Sequence, residues 1–210
     1  MASKANICNM ALGLLGVTTQ IADLSNPTND AEISCNLWWD QCVNEMLERN
    51  DWKFARGYVQ LASTTAPSDE YDYAYQLPTN CLVVRYLWDV DAGVRVTDYE
   101  YELFGSMLCT KLEEVYLVYT KTVTDTGKFP AFFVRALIYL LAHYLAPKHA
   151  EKGGKAKEMF DDYEKSLARA IEIDASQQNY IESGDDSWMT AGGFTTSESA
   201  TEQTEVYVVE

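Results

Sequence analysis

Basic residues are scarce in this chain: 16 lysines and arginines stand against 32 aspartates and glutamates, a formal net charge of −16. Tight binding to duplex DNA or to an anionic membrane needs clustered cations that displace counterions from phosphates, so both are excluded as firmly held partners. Histidine is rarer still, with only His143 and His149. Neither has a cysteine or carboxylate at metal-ligand spacing, and no HExxH sequence occurs. His143 falls in an apolar stretch and is expected to be a satisfied core or interface histidine. His149 falls in a polar break and is expected to be solvated. The five cysteines, Cys8, Cys35, Cys42, Cys81 and Cys109, are scattered, and no CxxC pairs them. That spacing suits neither a disulfide framework nor a zinc site. It suits free thiols used as small apolar side chains in a reducing cytoplasm. Long apolar runs are also missing. The longest, residues 129–146, holds Pro130, Arg135 and His143 and is too short and too interrupted to span a bilayer. Nothing after Met1–Lys4 reads as a signal peptide. A soluble protein made in a cytoplasm is expected.

The short sequences that mark common active sites are absent as well. No GxSxG, GxGxxG or Walker sequence occurs. Gly153-Gly154-Lys155 fails as a phosphate loop: the earlier glycine position is His149, the following hydroxyl position is Ala156, and a helix precedes it where a strand is required. Adjacent acids such as Asp161-Asp162 and Glu113-Glu114 are what an acidic chain places on a solvated surface. Glycoside hydrolysis needs two carboxyl groups facing one cleft, one of them with its pKa raised by burial. No catalytic, cofactor-binding or metal-ligating residue is assigned, no cofactor is called for, and a non-enzymatic role is expected.

What is present is enough apolar material for one medium domain: 47% hydrophobic residues, with 14 tyrosines and 5 tryptophans in 210 residues. Ser3 caps a first helix over 3–15, in which Ile7, Cys8, Ala11, Leu12 and Leu15 form one stripe and Gly16 is the stop. The Ser25–Asn29 cluster makes a turn and a capped start for a second helix over 30–49, and the two are expected to pack as a hairpin. Residues 52–122 change period. Tyr71, Tyr73 and Tyr75 alternate with polar residues, and Cys81–Trp88, Val94–Leu103 and Val115–Thr122 are β-branched and aromatic. Trp52–Leu61 reads as a further strand or an extended connection. Pro130 opens an apolar helix over 130–146, the most buried of all, which Pro147–Gly154 breaks. Lys155 to about Ile173 is amphipathic, with Met159, Tyr163, Leu167 and Ile171 at four-residue spacing. The fold class expected is therefore α+β and mainly helical. A bundle of about four helices carries a small antiparallel β-sheet of three to five strands between the second and third helices. Residues 1–175 form the domain and 176–210 an extended acidic tail. From Asp174 onward there are eight acids and no base, and the stretch 190–205 is rich in Ser, Thr, Gly and Glu. The tail is either disordered or reaches onto a partner and orders there.

Several stretches carry a likeness to a known family. They are Asn9–Gly16 (NMALGLLG), Ile21–Leu24 (IADL), Trp52–Arg56 (WKFAR), Tyr73–Pro78 (YAYQLP), Cys81–Arg85 (CLVVR) and Ala136–Ala142 (ALIYLLA). In their order and spacing, over roughly residues 1–190, they resemble the tail tubular protein A family of short-tailed bacteriophages, the head-to-tail adaptor or connector proteins. That resemblance implies a structural virion protein, placed at the head–tail interface after assembly in the host cytoplasm. It implies a dodecameric ring docked beneath the portal protein, with the tail nozzle (tubular protein B) and tail fibre proteins below. Viral DNA would be only transient cargo in the channel, and no membrane is involved. An acidic lumen would repel passing phosphates, whereas a lumen lined by Lys53, Arg56, Arg85 or Arg95 would not; solubility before assembly is the other use for the charge. The tail's partner would be the portal or a neighbouring subunit. Two other readings stand beside this one: a virion-associated cell-wall hydrolase using Glu45 or Glu48 as its acid, and a tail-completion factor that never forms a ring.

Overall fold

A computed structural model describes residues 3–65, 70–89, 94–96, 101–150 and 153–177. Four helices, α1 (Lys4–Leu14), α2 (Asp30–Arg49), α3 (Ala131–His149) and α4 (Lys155–Ser176), enclose the larger core, and the strands lie between α2 and α3 in sequence. The fold is thus α+β, with its β insertion between the second and third helices, as the change of period predicts.

The helix boundaries follow from capping chemistry. Ser3 Oγ accepts the Asn6 N–H. Gly16 takes a φ of +85°, and the N–H groups of Gly16 and Val17 return to the Gly13 and Leu12 carbonyls, closing α1 in a Schellman motif. At α2 the Asn29 carboxamide accepts the Glu32 N–H at 2.9 Å, and the Glu32 carboxylate accepts the Thr28 N–H at 2.7 Å and the Asn29 N–H at 3.3 Å. Two orphan ends are thereby satisfied at once. The break expected at Pro147 is corrected: α3 continues to His149. A proline this close to a helix end removes only its own N–H bond, and the Ala150 N–H still reaches the Ala146 carbonyl at 3.0 Å. α4 likewise runs to Ser176, past the expected 173. The acidic tail expected over 176–210 lies, beyond Gln177, outside the described residues.

α3 is the central helix. Phe133, Leu137, Leu140, Leu141 and Leu145 are all buried on it, and α1, α2 and α4 each pack against it. α1 and α2 meet through side chains, with Cys8 and Cys35 buried in the same core and Lys4 Nζ 2.7 Å from Asn36 Oδ1, while the closer backbone approach of each is to α3.

The insertion holds β1 (Arg56–Gln60), β2 (Ser63–Thr64), β3 (Tyr73–Gln76), β4 (Cys81–Asp89), β5 (Val94–Val96), β6 (Tyr101–Phe104), β7 (Met107–Thr110) and β8 (Val115–Lys121). They form two antiparallel four-stranded sheets among the described residues, in the orders β1-β8-β4-β5 and β2-β3-β7-β6. The expected single sheet of three to five strands is thus two. Val94–Leu103, expected as one strand, is divided between them as β5 and β6. β7 carries no alternating pattern because Leu108, Cys109 and Thr110 are all buried, and sequence periodicity misses it for that reason. Leu87, Leu117 and Tyr119 on one face of the first sheet meet Tyr75 and Leu108 of the second in a small core of their own. Arg85 and Thr120, on the other face, turn toward the end of α2. Gly57 leaves room for the Tyr119 ring: a Cβ at this position would lie 2.5 Å from it, and the ring would have to shift.

Candidate interaction surfaces

The helices and the sheets are joined at one corner. Leaving α2, the chain buries Trp52 completely, donates its indole N–H to the Met46 carbonyl at 2.6 Å and sets its ring against Phe54, Phe132 and Phe133. Arg56 then grips Asp51 with two bonds, at 3.1 and 2.8 Å. Lys53 closes the far end of α4, where its ammonium donates to the Asp174 and Ala175 carbonyls, a favourable place for a cation at a helix C-terminus. From β4, Arg85 reaches across to α2: Nε donates to Thr120 Oγ1 at 2.7 Å, and Nη2 lies 3.0, 3.1 and 2.7 Å from the carbonyls of Leu47, Glu48 and Asn50.

Asp174 is 3% exposed, with both carboxylate oxygens 3.4 Å from the Lys53 backbone nitrogen. Burial raises its pKa above the ordinary carboxylate range, against the opposing pull of Lys53 and Arg56. The folded state therefore binds this proton more tightly than the unfolded state. The group's contribution to stability is greatest below the unfolded value of about 3.9 and declines as pH rises through the higher native value. Asp174→Asn keeps an acceptor for the Lys53 N–H and removes the ionisation. Its unfolding free energy relative to the unmodified chain should rise as pH increases from about 4; parallel urea-denaturation profiles across that range would contradict this assignment.

Asn9, Trp52, Tyr75 and Arg85 are framework residues. Asn9 exchanges two hydrogen bonds with the Ile21 backbone, at 2.9 and 2.8 Å, and so ties down the chain after α1. Tyr75 donates its hydroxyl to the Leu112 carbonyl at 2.7 Å under the second sheet. Trp52 and Arg85 hold the corner. What this frame presents to the outside is apolar in several places. Among the described residues β6 is an edge strand, exposed along its whole length, with Tyr101, Leu103 and Phe104 at 37%, 47% and 38%. Beside it, Tyr71 donates to Glu102 Oε2 and its ring approaches Phe104. At another edge, Tyr58 of β1 stacks on Tyr116 of β8 with centroids 4.7 Å apart. On the helical side, Ile33 and Leu37 stand exposed one turn apart on α2. Two concavities flank Arg135 of α3. One, of about 320 Å³, is lined by Met10, Leu14, Ile138 and Tyr139. The other, of about 690 Å³, lies between α3 and α4 and is lined by Phe132, Lys165, Arg169, Glu172 and Ile173 among others. An exposed apolar edge strand is a liability in a chain that stays alone and is ordinary at an interface.

The residues singled out by sequence are dispersed through the structure. His143 is half-buried and hydrogen-bonds through Nδ1 to the Ala156 carbonyl at 2.9 Å, stapling α3 to the start of α4. His149 is corrected: it sits in the last turn of α3, with Nε2 shielded and lacking a hydrogen-bond partner among the described residues. Burial and then the adjacent Lys148 hold its pKa below the usual histidine value. The carboxylate of Glu45 is engaged by the Tyr144 hydroxyl at 2.9 Å and by Arg49 at 3.7 Å, while Glu48 is exposed, and neither lines the two concavities around Arg135. Cys8, Cys35, Cys42 and Cys109 are buried free thiols and Cys81 is half-buried. Lys155 pairs with Glu158 at 2.9 Å, and Gly154 supplies the left-handed turn before α4. Lys53, Arg56 and Arg85 are all committed to the corner, and the side chain of Arg95 lies outside the described residues. Among the described residues no helix is long and apolar enough to cross a membrane, and no three His, Cys, Asp or Glu side chains are grouped to hold a metal. No protein-family model and no curated protein matches the chain.

Proposed function

We propose that this protein is a non-enzymatic structural subunit of a phage virion, the adaptor that closes into a dodecameric ring between the portal and the tail nozzle and leaves a channel for DNA ejection. The observation that carries the reading is the presence, on one chain, of two unlike exposed apolar surfaces: the open edge at β6 and the helical face around Arg135. A ring is built by heterologous contacts, in which each subunit offers one surface to the neighbour on its left and a different one to the neighbour on its right. A symmetric dimer would need only one. The resemblance of the stretches at Asn9–Gly16, Trp52–Arg56, Tyr73–Pro78 and Cys81–Arg85 to tail tubular protein A supports the same reading, as does the order of helices and sheets.

The charge also finds a use. With Lys53, Arg56 and Arg85 engaged in bonds that hold the fold, the acids outnumber the remaining bases, and twelve copies at −16 each would repel DNA that passes without holding it. The substitutions Leu103→Ser and Phe104→Ser together test the reading, because both side chains are exposed and neither supports a core. The variant should melt with the unmodified chain yet fail to add to portal rings in mass photometry. Assembly at the unmodified level would remove the β6 edge from the ring contact and with it the argument from two surfaces.

A further inference from the structure

We infer that the α3–α4 groove is the docking site for the acidic, aromatic-bearing segment of residues 180–189 supplied by a second copy of the chain. The inference rests on the ring reading and names what one subunit offers the next. In a chain where acids outnumber bases two to one, this groove gathers Arg135, Lys165 and Arg169 against one carboxylate, Glu172. Lys165 reaches Asp162 at 3.2 Å on the open surface of α4, whereas Arg135 and Arg169 have no acidic partner among the described residues. They share the lining of the groove with the apolar side chains of Phe132 and Ile173. Arg135 also borders the apolar concavity of Met10, Leu14, Ile138 and Tyr139. The face thus asks for alternating negative charge and apolar bulk on one strand of chain.

Residues 180–189 read Tyr-Ile-Glu-Ser-Gly-Asp-Asp-Ser-Trp-Met, with three acids, two aromatic residues and no base. Glu182, Asp185 and Asp186 match the three cations in number. Tyr180 and Trp188 are ring-bearing anchors of the kind that fill apolar pockets at interfaces. Close charge pairs over an apolar contact give both steering and register.

A fluorescein-labelled peptide of residues 178–193, titrated by anisotropy into the full chain kept dilute, tests this directly. Saturable binding is expected, weakened about tenfold or more by Arg135→Glu with Arg169→Glu, two exposed positions whose reversal leaves the core untouched, and weakened by added salt. A scrambled peptide of the same composition should bind at least about tenfold less tightly than the native order if the apolar anchors set register. The chain ending at Gln177 keeps every residue of both cores and serves as the second arm. Equal affinity for the full and shortened chains supports exchange between copies. Absence of binding, binding indifferent to the charge reversal, or equal binding of the scrambled peptide overturns the site. Binding by the shortened chain alone overturns the assignment to a second copy, because the chain's own segment would then fill the groove. The titration involves no portal, so a chain that forms rings but ignores the peptide refutes only this inference. A chain that binds the peptide and never assembles on portals refutes the ring.

Discussion

Trp52→Ala should lower the unfolding free energy by about 4 kcal/mol, the largest loss expected from any single substitution on the joint between helices and sheets. Trp52 is fully buried, and its removal opens a cavity bordered by Phe54, Phe132 and Phe133 while leaving the Met46 carbonyl without its indole donor. In a domain of this size that loss corresponds to roughly 10 °C in melting temperature. Trp52→Phe separates the two contributions: it refills most of the cavity and forfeits the hydrogen bond, and should cost about half as much. Calorimetry on both variants gives the ordering. A cost below about 1 kcal/mol for Trp52→Ala would mean that the corner does not organise the fold.

Arg85→Ala should cost about 3 kcal/mol by a different route. Nothing apolar is lost. A charged fork that closes the last carbonyls of α2 and binds Thr120 disappears, and the first sheet loses its polar tie to the helices. Arg85→Lys should recover less than half, because a single ammonium cannot satisfy Thr120 and three carbonyls together. Chemical denaturation of the two variants reads this out, and a lysine variant as stable as the original would show that charge alone, without the planar fork, is sufficient. Arg85 contacts neither β6 nor the Arg135 groove, whereas Trp52 stacks on Phe132 of the groove lining, so the Arg85 variants are the ones in which any loss of assembly should track loss of stability alone.

Much of the frame was legible in the sequence because its signals are local. Ser3, Gly16, Asn29 and Glu32 announce helix ends through hydrogen bonds within a few residues, and the apolar stripe of residues 129–146 marks the most buried helix. Legibility fails where the deciding partner is distant. β7 reads as no strand because both of its faces are covered. The division of Val94–Leu103 depends on which sheet each half joins. Pro147 reads as a stop, although its cost is one bond near a helix end. The surfaces were less legible still. Arg135 looks like an interruption in an apolar helix until α4 brings Lys165 and Arg169 beside it, some thirty residues along the chain. Leu103 looks like an ordinary strand residue until β6 proves to be an edge among the described strands, with Phe104 as its last residue. The resemblance motifs, by contrast, mark the residues that build the frame: Asn9, Trp52, Tyr75 and Arg85 each tie one element to another. They bear on the fold and leave the contacts of the proposed ring to the exposed residues between them.

The proposed ring can be looked for directly. The full chain, mixed with purified portal rings and imaged by electron microscopy without imposed symmetry, should add one layer of density beneath the portal with twelve equivalent subunits around an open channel. Particles in which the portal stays bare, or in which the chain binds singly without closing into a ring, would contradict the account.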